Sequence, residues 1–208
     1  LNLAYRGSRL IISDFSLGVA AGEGVVVHGP AGIGKTTLAR VITGKLRPDS
    51  GEISVDGKSL SASSATARAE ILARWGVVSD DSTLLLDRSA GENVRTSIRI
   101  SSHGGQVSDD DIDSAFRRFG LAARRSLNPS SLSSVEKFLL QLAMAWARSP
   151  LLFVLDDLDS ALDSQSLTLA IDAIRERYLS GSAVLLLTSS PELYLPLSWR
   201  HVAIPMVR

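Results

Sequence analysis

The chain has 208 residues, with 22 Lys+Arg balanced by 22 Asp+Glu, 45% hydrophobic side chains and no cysteine. That length suits one domain, or one domain with a subdomain, and zero net charge removes the global electrostatic reason to expect a nucleic-acid binder. Lack of cysteine excludes disulfides, thiolate zinc sites and thiol nucleophiles, and no apolar run approaches the roughly 18 residues of a membrane span.

In chain order, Val25 to His28 is a β-branched run ending at Gly29, and Lys35 to Leu46 has the pattern of a helix. Pro48 to Gly51 makes a turn before the alternating Glu52-Ile53-Ser54-Val55, and Asp56-Gly57 predicts a hairpin. Ala65 to Arg74 predicts a helix and Gly76 to Val78 a short strand. Ser89 to Arg148 is helical in pattern, with breaks near Gly104-Gly105, Gly120 and Asn128-Pro129; Ser101 to Asp110 is the expected mobile loop. Ser108 followed by Asp111 predicts a capping box for a helix running to Phe119. Leu151 to Leu155 and Ala183 to Thr188 have the length of buried strands, with a helix from Asp163 to Tyr178 between them. Strand–helix alternation implies a parallel sheet covered on both faces, interrupted by the middle helical stretch. No signal-peptide pattern precedes these elements, so a soluble intracellular domain is expected. The chain opens at Leu1 and not at Met, which leaves room for residues before it.

The strongest motif is Gly29-Pro30-Ala31-Gly32-Ile33-Gly34-Lys35-Thr36-Thr37, between an apolar strand and a helix, the context a Walker A loop requires. Its glycines let successive N–H groups turn toward phosphate oxygens beside the positive end of the helix dipole. Lys35 would reach the β- and γ-phosphates, and the Thr36 hydroxyl would ligate magnesium. A dinucleotide loop fits worse, because only two of its three glycines fall in register and Lys35-Thr36 has no role there. Asp156 and Asp157 follow the Leu151–Leu155 run, where an aspartate can hold magnesium directly or through water. Alone, two acids after a strand make a solvated turn or a helix cap. His28, His103 and His201 are scattered and suggest no metal site, Asp109 to Asp111 suits a helix N-terminus, and Arg117, Arg118, Arg124 and Arg125 suit a solvated face.

With both motifs placed, the chain resembles the nucleotide-binding domain of ABC-type ATPases over essentially its whole length. Leu38 to Gly44, Arg47 to Gly57 and Ser160-Ala161-Leu162-Asp163, the last in the place of the D-loop, carry the resemblance beyond Walker A. Leu132 to Asp157 aligns without a gap to the segment from the LSGGQ signature to Walker B, and Leu84 to Val94 is similar to the cell-division (FtsE-like) and lipoprotein-release branch. The resemblance implies an α/β fold: a P-loop NTPase core, an N-terminal antiparallel β subdomain and an inserted α-helical subdomain at about 83–149, in one ATP-binding domain spanning 1–208. It implies ATP and Mg2+, with Tyr5 stacked on adenine, Ser133 as the signature serine facing a partner's nucleotide, and Asp156 and Thr36 on the metal.

The same resemblance locates four departures. Ser134 and Val135 replace the two signature glycines, Asp157 stands where a glutamate polarises water, Ser189 stands at the switch histidine, and Asp80 at the glutamine that touches magnesium and water. Shortening a carboxylate by one methylene displaces it by about 1 Å, enough to cost roughly 100-fold in rate. The expectation is an ATPase subunit, slow or partner-dependent, on the cytoplasmic face of the cell membrane beside a permease-type subunit. It would dimerise with a second ABC ATPase, hetero slightly ahead of homo. The alternatives are a non-catalytic ATP-binding regulatory or structural module and a P-loop phosphotransferase, against which Ser160 to Asp163 and the signature register count heavily.

Overall fold

The computed structural model describes residues 3–5, 9–60, 62–79 and 82–205, with 3–5 and 9–11 followed as backbone alone. Strands β1 (Leu3–Tyr5) and β2 (Arg9–Ile12) form an antiparallel pair. Strand β3 (Gly24–His28) runs into the glycine loop, which opens α1 (Lys35–Ile42). A second antiparallel pair, β4 (Ser54–Val55) and β5 (Lys58–Ser59), turns at Asp56 and Gly57. Both have positive φ, 51° and 73°, as the Asp-Gly hairpin predicts. The N-terminal antiparallel region is therefore two separate two-stranded ladders. Next come α2 (Ala65–Ala73), β6 (Trp75–Val78), α3 (Ala90–Ser101), α4 (Asp109–Arg118) and α5 (Ser134–Ala147). The chain continues through β7 (Leu152–Asp156), α6 (Leu158–Ala161), α7 (Ser164–Leu179), β8 (Ala183–Thr188) and β9 (Arg200–Ala203).

The central sheet has the order β6-β7-β8-β3-β9, and every neighbouring pair is parallel. Side chains alternate between its faces. Val25, Val27, Val154, Leu185 and Leu187 meet Leu38, Ala39 and Val41 of α1. Val26, Val78, Phe153, Leu155, Val184 and Leu186 pack with residues of α3, α4, α5 and α7. Burial on both faces explains why these strands read as uninterrupted apolar runs.

Helix α1 stops at Ile42, short of the expected Leu46. The Thr43 hydroxyl bonds back to the Ala39 carbonyl at 2.8 Å, and Gly44, at φ 71°, ends the helix in a left-handed turn. The Ser89–Arg148 pattern resolves into α3, α4 and α5, each opened by a capping box: Ser89 with Glu92, Ser108 with Asp111, Ser133 with Glu136. Strand β9 and the 3-10 segment Pro191–Leu197 lie outside the sequence expectations. Arg200-His-Val-Ala sits at the sheet edge with its side chains exposed or half-buried, so it carries no apolar run to recognise. Among the described residues, no helix is long and apolar enough to cross a membrane.

Gly24, at the start of β3, lies against the Trp199 ring: a Cβ there would come within 2.4 Å of ring carbons. Gly24→Ala should therefore cost about 1–3 kcal/mol by overpacking, read by urea denaturation with tryptophan fluorescence. A cost below about 0.5 kcal/mol would show that Trp199 moves aside freely.

Candidate functional site

The loop between β3 and α1 depends on glycine at two positions. Gly32 (φ 80°) and Gly34 (φ 108°) occupy the left-handed region, where a Cβ is strained. Gly34 is the N-cap of α1, and no side chain caps that end. The first N–H groups of the helix therefore face the loop without the usual hydroxyl or carboxylate, an arrangement suited to an anion. Pro30, Ala31 and Gly32 are exposed, Ile33 is half-buried, and the Ile33 N–H closes the turn on the Pro30 carbonyl at 3.3 Å. Lys35 is buried and folds back across the loop, its Nζ donating to the carbonyls of Gly29 (2.9 Å) and Pro30 (3.1 Å). An ammonium has three protons, so one remains for a phosphate oxygen.

The acidic pair lies beside this loop. Asp156 ends β7 and by strand alternation points to the face that carries α1. Its buried carboxylate lines a narrow cleft together with Thr36. A carboxylate and a hydroxyl are the hard oxygen donors that Mg2+ takes, so the residues present fit that ion. Thr37 follows Thr36 on α1, half-buried. Asp157 adopts a left-handed conformation (φ 57°, ψ 48°), its N–H donating to the Leu187 carbonyl at 2.9 Å. Its Oδ1 is buried without a hydrogen-bond partner, which leaves an acceptor open.

The other expected site residues divide. Ser189 is exposed immediately after β8, whose neighbour in the sheet is β7, the strand that leads into Asp157. Ser133 is exposed at the N-cap of α5, and no hydrogen bond joins it to the Gly29–Thr37 loop. Its hydroxyl accepts the Glu136 N–H (3.2 Å), while the Ser133 N–H donates to Glu136 Oε2 (2.8 Å). Arg124 Nε donates to Glu136 Oε1 at 2.7 Å. Asp80 lies outside the described residues. Tyr5 lies in β1, where its side chain falls outside the described portion. Sequence reasoning missed Asp159, whose carboxylate receives the hydroxyls of Thr188 (2.7 Å) and Tyr194 (3.1 Å). Its partners come from β8 and from a segment without sequence signal, so only the fold could reveal the cluster.

This geometry agrees with the comparisons. The family model described as ABC transporter matches residues 12–160. The chain is 33% identical over 165 residues to the taurine import ATP-binding protein TauB of Pseudomonas aeruginosa, covering 79% of this chain and 60% of that protein. It is 30% identical over 174 residues to the methionine import ATP-binding protein MetN of Photobacterium profundum, covering 83% of this chain and 51% of that protein. A solved ATP-binding cassette, in a dimeric post-hydrolysis state bound to ADP and Pi, matches with a TM-score of 0.81 over 90% of this chain and 84% of that one. At 21% identity that likeness shows the fold. The chain belongs to the ABC transporter family and has the P-loop α/β fold of an ABC-type nucleotide-binding domain. It spans about half the length of the curated relatives it matches.

At the N-terminus of α5, donation from Arg124, then from the Ser133 N–H and hydroxyl, lowers the Glu136 carboxyl from 4.5 to about 2. A depressed carboxylate adds stability above its unfolded value, and that stability is lost as pH falls through the folded value. Here the window runs from about pH 4.5 down to about pH 2. Glu136→Gln keeps an acceptor but no charge, so wild type should melt higher at neutral pH, and the gap should close between pH 4.5 and 2. Thermal melts at four or five pH values check this; a constant gap would show that the charge contributes nothing.

Proposed function

We propose that the chain is the ATP-binding, ATP-hydrolysing part of an ABC transporter-type membrane complex, coupling nucleotide binding and slow hydrolysis to a membrane partner. One observation carries this: the uncapped N-terminus of α1, the Lys35 ammonium and the Thr36–Asp156 cleft converge on one side of the carboxyl edge of a parallel sheet. Gly29 to Thr37 would cradle the triphosphate, with Lys35 exchanging its loop carbonyls for phosphate oxygens. Thr36 and Asp156, with Asp80 in the family's register, would hold Mg2+, which when bound neutralises phosphate charge. Asp157 would accept a hydrogen bond from the attacking water through its carboxylate, and Ser189 would offer a hydroxyl where the family has an imidazole. Tyr5 would stack on adenine.

The replacements at Ser134, Val135, Asp157 and Ser189 support slow turnover, because these groups act as one constellation in the family. The same replacements favour a second reading, a regulatory module that holds ATP without consuming it. Ser133, exposed at the N-cap of α5, suits a role toward the nucleotide of a second ATPase. A mixed dimer supplies one intact catalytic carboxylate and one switch histidine, which a homodimer cannot, so the mixed form is favoured. A permease-type membrane subunit and a peripheral position on the inner face of the cell membrane fit relatives named as import ATP-binding proteins. One domain across 1–208, with a helical part at about 83–149, suits that role.

Mg-ATP should raise the melting temperature by ligand-linked stabilisation, and Lys35→Ala should remove most of the shift. Wild-type turnover should stay below about 1 per second, the low end of typical enzymes. No ATP binding by calorimetry at millimolar concentration would reject the assignment; binding without any hydrolysis would select the regulatory reading.

The partner is tested by isolating the complex from its native source and identifying its ATPase subunits by mass. A second ATPase polypeptide is expected. Finding this polypeptide alone, with turnover at both sites, would overturn the mixed dimer.

A further inference from the structure

Asp157 and Ser189 stand at the ends of adjacent parallel strands, but among the described residues neither makes a side-chain hydrogen bond that would hold it in place. Their positions rest on the backbone around them, which converges on Thr188. The Thr188 carbonyl accepts the Gly29 N–H at 3.4 Å, tying the start of the phosphate loop to the end of β8. Its hydroxyl accepts the Ser190 N–H at 2.9 Å, bending the chain so that Ser189 is presented outward, and donates to Asp159 Oδ1 at 2.7 Å. The same Oδ1 accepts the Tyr194 hydroxyl at 3.1 Å. Thr188 and Tyr194 are both completely buried. Asp159 lies two residues beyond Asp157 on the single turn of α6.

We propose that Asp159 is a positioning residue for hydrolysis: its carboxylate, holding the Thr188 and Tyr194 hydroxyls, locks the turns that carry Asp157 and Ser189 to the phosphate loop. The proposal rests on the assignment of Asp157 as the group that orients the attacking water. Asp157 is held by its left-handed turn, by its N–H bond to Leu187 and by its carbonyl, which accepts the Ser160 N–H (3.2 Å) and hydroxyl (2.9 Å). Leu158, next in the chain, is buried in the core, and Asp159 is the residue of this turn whose side chain ties it to the end of β8. Without that tie the turn after β7 keeps its core packing but can shift relative to β8 by the fraction of an ångström to which water orientation is sensitive. The two hydroxyl residues of the lock are buried and Asp159 is half-buried, so loss of the carboxylate leaves buried hydroxyls unpaired. Burial raises the Tyr194 phenol, and the charges of Asp159 and then Asp157 raise it further, which keeps it a hydrogen-bond donor at any working pH.

The test uses the full chain in excess over radiolabelled Mg-ATP, so that one slow turnover is followed to completion, with ATP affinity measured by calorimetry. Asp159→Ala should slow hydrolysis about 10- to 100-fold while the ATP Kd stays within about twofold. Asp159→Asn, which retains the Oδ1 acceptor, should return to within about threefold of wild type. Should Asp159→Ala not fold, the pair Thr188→Val with Tyr194→Phe, which removes the hydroxyls instead of stranding them, should show the same loss of rate at unchanged Kd. Asp157→Asn is run in parallel. If it abolishes hydrolysis while Asp159→Ala stays within about twofold of wild type, positioning by Asp159 is wrong and the role of Asp157 stands. If rate and ATP affinity fall together, Asp159 is merely structural and the proposal is overturned. If Asp157→Asn hydrolyses like wild type, or wild type does not hydrolyse at all, the assignment beneath it fails and the proposal with it.

Discussion

Everything at the site depends on a sheet buried on both faces. The strands β7, β8 and β3 run in parallel and spend their side chains on two cores, so polar groups emerge at the strand ends, and those of the site at the carboxyl ends. Asp156, Thr188 and the glycine loop are the continuations of three adjacent or next-adjacent strands. Their proximity follows from register: Asp156 pairs with Leu187, and His28 with Thr188. Alternation then divides the chemistry. Asp156 falls on the α1 face with Thr36, while Asp157 is turned away by its left-handed backbone toward the end of β8. A one-residue slip of β7 that moved Asp156 into the place of Leu155 would put a carboxylate in the opposite, apolar core.

Much of this arrangement was legible from residue types. The loop was readable because Gly32 and Gly34 are needed at positive φ, and because Lys35-Thr36 has no use in a dinucleotide turn. The buried strands were readable because both faces are apolar. The capping box at Ser108 was readable because it is local, made of residues three apart. What escaped is non-local or edge-placed. Strand β9 is half-solvated and has no apolar period, so it becomes a strand only because β3 offers it a free edge. The Asp159 cluster joins residues 29 and 35 positions apart, and nothing at Asp159 itself distinguishes a buried acceptor from a solvated acid. The length of α1 escaped for the opposite reason: residues 43–46 continue the helical pattern, but Gly44 and the Thr43 hydroxyl end it locally.

Two helix N-termini in this chain meet the same electrostatic problem with opposite solutions. Helix α1 begins at a glycine with no side-chain cap, leaving its N–H groups and dipole for an external anion. Helix α5 is closed by its own carboxylate, Glu136, which takes the Ser133 N–H and is itself held by Arg124. The depressed pKa of Glu136 records how fully that charge is satisfied. An incoming phosphate at α5 would find a negative charge in the first turn and a serine hydroxyl already accepting a bond. The two ends are therefore asymmetric: the α1 N-terminus is open to an anion, and the α5 N-terminus is largely self-satisfied.

The proposed role of Asp157 as the water-orienting carboxylate meets a related constraint. A side chain one methylene short can be compensated only if its backbone moves toward the substrate, and here the backbone is the least free part of the site. Its N–H is committed to Leu187, its φ lies in a left-handed well, and two residues later Asp159 is anchored to hydroxyls with no exposure at all. A looser turn would lose the aim of the carboxylate without lengthening it, whereas a locked one fixes the distance that the fold sets. On the proposed role of Asp157, the rigid turn serves an aspartate as it would a glutamate, by aiming it, and giving up that rigidity slows hydrolysis instead of speeding it.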